Sequence, residues 1–217
     1  MVINKKLGTD KLITNGCTGQ ISAVIFFAKI RKKAAIKNLL GEPGDMQGSE
    51  MLRFTQAIEN AIKYENWYAA LGLSLALPDI CANVRFPNEG SQRRYVNWYN
   101  QYMLPKYTRQ VGAGREEHIF LQGEDCYALR CALLHEGSHD ISEQRAQQVI
   151  ERFNFVVPPQ GWVVHMNQIN NALQLQVDIF CRDICSSVHQ WLADNSFSNG
   201  EFDLFLTITD INGKPIA

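Results

Sequence analysis

The sequence predicts a mainly α-helical fold: a helical bundle of about five helices over residues 50–195, with a small β-hairpin near the C-terminus. Three features carry that expectation. Apolar residues recur at helical intervals from Phe54 onward, glycines and prolines separate the periodic runs, and one short stretch at 202–209 places Phe202, Leu204, Leu206 and Ile208 at every second position. With 217 residues, 46% of them hydrophobic, the chain is long enough to bury a full core.

Residues 1–20 carry Gly8, Gly16 and Gly19 without a clear period, which predicts loose order. Residues 21–40 favour a helix stopped by Gly41. The run Gly41-Glu42-Pro43-Gly44-Asp45 then reads as a linker, so residues 1–45 form a basic, partly helical extension and residues 50–217 a separate helical domain with a C-terminal strand. Phe54, Ile58, Ala61, Tyr68, Leu71 and Leu75 make one packed helical stripe that Pro78 kinks or ends. Asn88–Ser91 is a turn, and Tyr95, Trp98, Tyr99 and Tyr102 form an aromatic helical face closed by Pro105. Aromatics at that spacing belong to a core.

A polar loop is expected over 105–119, then a helix from about Glu124 with Gly137 as its C-cap. Ser142–Phe153 reads as a short helix that Pro158-Pro159 forbids from continuing. Ile169, Leu173, Val177, Phe180, Ile184, Val188 and Trp191 predict one long helix from Asn167 to Ala193. Phe202, Leu204, Leu206 and Ile208 predict a strand, with Trp162–Met166 as its partner.

The formal charge of −1 conceals an asymmetry. Residues 1–45 hold eight Lys/Arg against Asp10, Glu42 and Asp45, which makes them +5 and the remainder −6. Such an arm suits either a solvated helix face or sequence-independent contact with phosphate. The apolar run Ile21–Ala28 is too short to span a bilayer, and the basic residues follow it instead of preceding it, so no membrane or export is expected and the location is read as cytoplasmic. Cys17, Cys81, Cys126, Cys131, Cys181 and Cys185 contain no CxxC pair and read as reduced thiols. Cys181 and Cys185 stand four apart on a helix, but no second pair completes a zinc site.

The distinctive chemistry lies between Arg130 and His139, where two motifs overlap. His135-Glu136-Gly137-Ser138-His139 matches H-E-x-x-H, whose histidines bind zinc from one helical turn while the glutamate activates water. Gly137 opposes it, costing about 1 kcal/mol relative to alanine inside a helix. Asp140 adds a charge, and no glutamate lies between Glu151 and Glu201 to act as third ligand. The zinc hydrolase is therefore the weaker reading, and no metal or other cofactor is expected.

The second motif joins Arg130 and His135 as R-x-x-x-x-H within Leu129-Arg130-Cys131-Ala132-Leu133-Leu134-His135-Glu136-Gly137. This segment resembles the HEPN family, small helical bundles of prokaryotic defence and toxin systems, in its leucine-flanked R-x(4–6)-H signature at the end of a bundle helix. Cys131 departs from the polar residue, such as Asn, common there. The resemblance implies RNA as substrate, a homodimer with paired helix ends, and either a ribonuclease or a non-catalytic module of toxin–antitoxin type with an antitoxin-like protein partner.

A cationic arginine and a titratable histidine suffice to cleave RNA without metal, the first stabilising phosphoryl oxyanions and the second moving protons. In that scheme His135 is general acid/base, Arg130 the phosphate clamp, and Glu136 or Asp125 an orienting group. Five residues of ideal helix rotate by about 140°, so the two would not converge on one straight helix. Unwinding near Gly137 or a dimer, with Cys126, Leu129 and Leu133 in its interface, would bring them together. The structural alternative pairs Arg130 with Glu124, Asp125 or a carboxylate on another helix, and leaves His135 bonded to a carbonyl at the helix end.

Overall fold

The computed structural model describes residues 49–217 apart from Arg145, Ala146, Asn199, Leu204, Pro215 and Ala217. The expected helix at 21–40, its linker and Cys17 lie outside the described residues. Those described fall in a single unit, Gln47–Ala217.

Five α-helices lie among them: α1 (Ser49–Lys63), α2 (Trp67–Arg85), α3 (Ser91–Tyr102), α4 (Gly123–Cys131) and α5 (Val177–Asp194). Helix α2 is the hub, packing against the other four. It buries Leu71, Leu75 and Leu77 among eight core residues, each leucine contributing about 1.5–3 kcal/mol of apolar transfer energy. By length and composition α2 could also cross a membrane, though Ala70, Leu71, Leu75, Leu77, Cys81 and Ala82 are buried in the core here. Two small sheets accompany the helices, so the fold mixes helix and strand and is not a pure helical bundle. Strands β1 (Thr108–Val111) and β2 (Glu116–Ile119) form an antiparallel hairpin. Strand β3 (Arg152–Val156) runs parallel to β5 (Ala172–Gln176), whose other edge takes β4 (Asn167–Ile169) antiparallel.

The aromatic face of α3 is as expected, with Tyr95, Trp98, Tyr99 and Tyr102 all buried. Other elements differ. The stripe from Phe54 to Leu75 is carried by two helices. The chain breaks between Lys63 and Trp67, where Glu65 takes a left-handed φ of 56° and Asn66 caps α2 by accepting from the Ala69 amide. Pro78 sits inside α2, buried, and does not end it. Residues 105–119 are not a loop but the β1–β2 hairpin, whose strands TRQV and EEHI lack any apolar alternation to announce them.

The helix expected over Ser142–Phe153 is absent from the described residues, which form turns and then β3. Ile141, Ile150 and Phe153 are buried there without helical geometry. The long helix from Asn167 to Ala193 survives only from Val177. Its first third is the β4–β5 hairpin, turning at Asn170-Asn171 with Asn170 at φ 52°, a conformation that asparagine tolerates. The C-terminal β-hairpin is also overturned, since neither 162–166 nor the described residues of 202–209 form a strand. Phe202 and Phe205 instead continue an aromatic chain from Trp191 and Phe197 to Phe54, while Leu206 and Ile208 stay exposed. Burying two aromatics there outweighs keeping an isolated ladder.

Candidate functional site around Arg130 and His135

Helix α4 starts at Gly123 because it lies close against α3. A Cβ at that position would stand 2.8 Å from Asn100 Oδ1 and 3.3 Å from Val96 Cα. From Cys131 the helix widens into a π-helical turn, Ala132–Glu136, and stops at Gly137 in the left-handed region with φ 66°. The Gly137 amide donates to the Leu133 carbonyl at 3.1 Å and that of Ser138 to Ala132 at 3.1 Å. Gly137 is thus the expected C-cap, and its placement separates the two histidines of H-E-x-x-H. His135 lies before the left-handed residue and His139 after it, so they do not share one helical turn. Among the described residues no group of three His, Cys, Asp or Glu could hold a metal ion.

Arg130 points from the end of α4 toward α2. Its Nη2 lies 3.5 Å from Asp79 Oδ2, and its guanidinium stands 5.9 Å from the Tyr127 ring centroid. Asp79 is shared: Arg94 Nε donates to Oδ1 at 2.7 Å and Ser91 Oγ to Oδ2 at 3.0 Å. Two arginines therefore face one carboxylate, and the more distant, Arg130, keeps a buried Nε without a partner. Neither Glu124 nor Asp125 pairs with Arg130. Sequence reasoning did not find Asp79, Ser91 or Tyr127. A readable signal was a lone carboxylate in the apolar run Leu75-Ala76-Leu77-Pro78-Asp79-Ile80-Cys81, since a charge so placed needs a partner.

His135 is exposed on the wide turn. Glu136 is exposed too, and its Oε1 accepts from Gln144 Nε2 at 2.9 Å. Asp125 is not available as an orienting group. It is 1% exposed, and its two carboxylate oxygens accept the backbone amides of Gln148, Val149 and Ile150 at 2.6–3.3 Å. The face expected to form a dimer is likewise spent within one chain, with Cys126 at 0% and Leu129 at 1% exposure; only Leu133 and the exposed Leu134 remain at this end.

Among the described thiols Cys81, Cys126, Cys181 and Cys185 are buried core residues, and Cys131 is half-buried. Burial pushes Cys126 up to about 12, Cys181 to about 11 and Cys185 to about 12, so these thiols stay protonated and unreactive. Cys126 also sits 3.3 Å from the Tyr95 hydroxyl.

Three other histidines take structural posts. His118 Nε2 lies 3.1 Å from Gln168 Oε1, and His189 Nε2 lies 3.2 Å from Thr55 Oγ1. His165 Nδ1 accepts the Gln176 amide at 3.2 Å. Burial holds His165 down to about 4, with the Arg109 charge adding to the effect, and also lowers His189. The unfolded chain thus takes up protons that the folded chain resists. Stability is full above the ordinary histidine value of 6.5 and is lost as pH falls from there toward 4. Asp183, raised by burial, opposes this at the acid end. After discounting for solvent screening, His165 should account for on the order of 1–2 kcal/mol. Thermal melts between about pH 7 and pH 4.5 should show a falling melting temperature, and His165→Asn should flatten the slope; equal slopes would exclude His165 as the cause.

No protein-family model, curated protein or solved structure matches this chain.

Proposed function

We propose that the chain is a HEPN-like protein that cleaves RNA without metal. His135 takes the proton of a ribose 2′-hydroxyl as its oxygen attacks the adjacent phosphorus, and the bond to the 5′-oxygen breaks. A proton returns to that leaving oxygen, which leaves a 2′,3′-cyclic phosphate and a 5′-hydroxyl. Arg130 stabilises the charge on the phosphoryl oxygens. We read the activity as cytoplasmic, a reading that the free thiols among the described residues support.

The observation that supports this reading is the wide turn itself. A π-helical turn bonds residue i to i+5, so residues five apart approach the relation that residues four apart have in an α-helix. The rotation between Arg130 and His135 falls below the roughly 140° of a regular helix. Completing the site calls for a second copy, its exposed Leu134-His135-Glu136 end turned toward Arg130 of the first, in place of the buried Cys126 face.

One observation favours a second reading, a non-catalytic interaction module with an antitoxin-type partner: Arg130 is engaged by Asp79 and Tyr127 within the chain.

Incubation with labelled RNA in chelator separates the two. Cleavage to cyclic phosphate ends, reduced at least about a hundredfold in His135→Ala, supports the enzyme. His135 is exposed, so this variant should melt with the parent, whereas Arg130→Ala needs its stability measured alongside. Activity that survives His135→Ala would overturn the assignment, and absence of cleavage by a dimer would favour the interaction module.

A further inference from the structure

A cleft of about 480 Å³ opens beside the wide turn, between the start of α2, Gly137–His139 and strand β3. Its floor is apolar, with Leu71, Leu133 and Phe155. Its rim carries His139, Arg152 and Asn154, all exposed, and Tyr68, a residue 85% exposed. No carboxylate lines it, although residues 46–217 sum to −6. The ion pairs among the described residues use Arg85, Arg93, Arg94, Arg130 and Arg182 and leave Arg152 out. Asp140, next to His139 and bridged through its backbone to Arg152, accepts from the Ser142 amide and hydroxyl on its Oδ1 at 2.9 and 2.6 Å; those bonds hold its carboxyl below the usual carboxylate range, with Arg152 and His139 near enough to add to the effect. A guanidinium, an imidazole, an amide and an exposed tyrosine therefore line a pocket of small-ligand size.

We propose that this cleft binds one phosphorylated nucleotide, with its phosphate on His139 and Arg152 and its base stacked on Tyr68. A charge-assisted contact from a guanidinium suits a phosphate oxygen, and stacking on tyrosine suits any base, which favours affinity over sequence preference. The Asn154 amide offers a donor and an acceptor to a base edge. The inference rests on the RNA reading for the source of the nucleotide: a strand entering here passes Gly137 and reaches His135 within one turn. Free nucleotide has the same chemistry and is the other source.

The test measures binding apart from cleavage. A short fluorescent 2′-O-methyl RNA lacks the attacking hydroxyl, so anisotropy reports its affinity whether or not the chain is a nuclease. Arg152→Ala and Tyr68→Ala should each weaken binding about tenfold with unchanged melting, because both side chains are exposed. Arg152→Ala should also reduce the slope of log affinity against log salt by about 0.7. Arg93→Ala, which removes another exposed charge, on α3, should do neither. Competition by a nucleoside monophosphate through the same residues identifies free nucleotide as the ligand, and binding of the oligomer alone identifies a strand. The proposal falls if the parent binds neither, or if Arg93→Ala weakens binding as much as Arg152→Ala. Binding with no cleavage of ordinary RNA would sink the nuclease reading and leave the cleft assignment standing.

Discussion

Replacing Asp125 with alanine is expected to destabilise the fold by about 3 kcal/mol, and Asp125→Asn by roughly half as much. The carboxylate holds three consecutive amides of a segment that has no ladder of its own, and the Ile150 end of that segment is buried. Removing the acceptor leaves those donors unmatched, at about 1–3 kcal/mol for each one kept from water. Asparagine retains one oxygen and so part of the effect. For a domain of this size the alanine variant should melt about 6–12 °C lower. A calorimetric shift under about 2 °C would mean that the loop is secured by other contacts. The same substitution separates structure from chemistry: any loss of activity in Asp125→Asn should follow its loss of folded protein.

The second large effect is expected at Asp79. Asp79→Ala removes the shared anchor of Arg94, Arg130 and Ser91 and leaves two mostly buried guanidinium groups facing each other. Breaking a buried pair by deleting one partner costs about 3–5 kcal/mol, and partial exposure here places the expectation near 2–4 kcal/mol. A double-mutant cycle in urea should give a larger coupling for Asp79 with Arg94, at 2.7 Å, than for Asp79 with Arg130, at 3.5 Å. Equal couplings would place Arg130 as firmly in the cluster as Arg94 and weaken its candidacy as a phosphate ligand.

These contacts mark where the sequence ceases to be legible. Periodicity identified α3 because Tyr95, Trp98, Tyr99 and Tyr102 repeat a helical interval and all meet the core. Gly137 was readable as a stop because a left-handed residue closes that helix. Periodicity failed at 167–176, where Ile169 and Leu173 have helical spacing by coincidence, and only Leu173 is buried, on β5. It failed again at 142–153, where a non-local carboxylate competes for the amides a helix would use. The candidate site shows the same limit. Arg130 and His135 are visible as letters, whereas the partner of Arg130 stands 51 positions away in another helix, and the extra width of the turn after it is a property of the backbone alone. The Tyr68, His139 and Arg152 cleft comes from three separate segments and has no signature at all.

Helix α2 owes its cover partly to α5, which lies at the far end of the chain. During synthesis roughly ninety residues must follow Arg85 before Val177 begins to emerge. At about 5–20 residues per second that interval lasts roughly 5–20 seconds. Throughout it, a helix apolar enough to enter a bilayer stands without one of its partners. The nascent chain is therefore most prone to capture by chaperones, or to association with its neighbours on a polysome, in the window between these two helices. Slowing translation across β3 to β5 would lengthen that window without altering any contact of the finished fold.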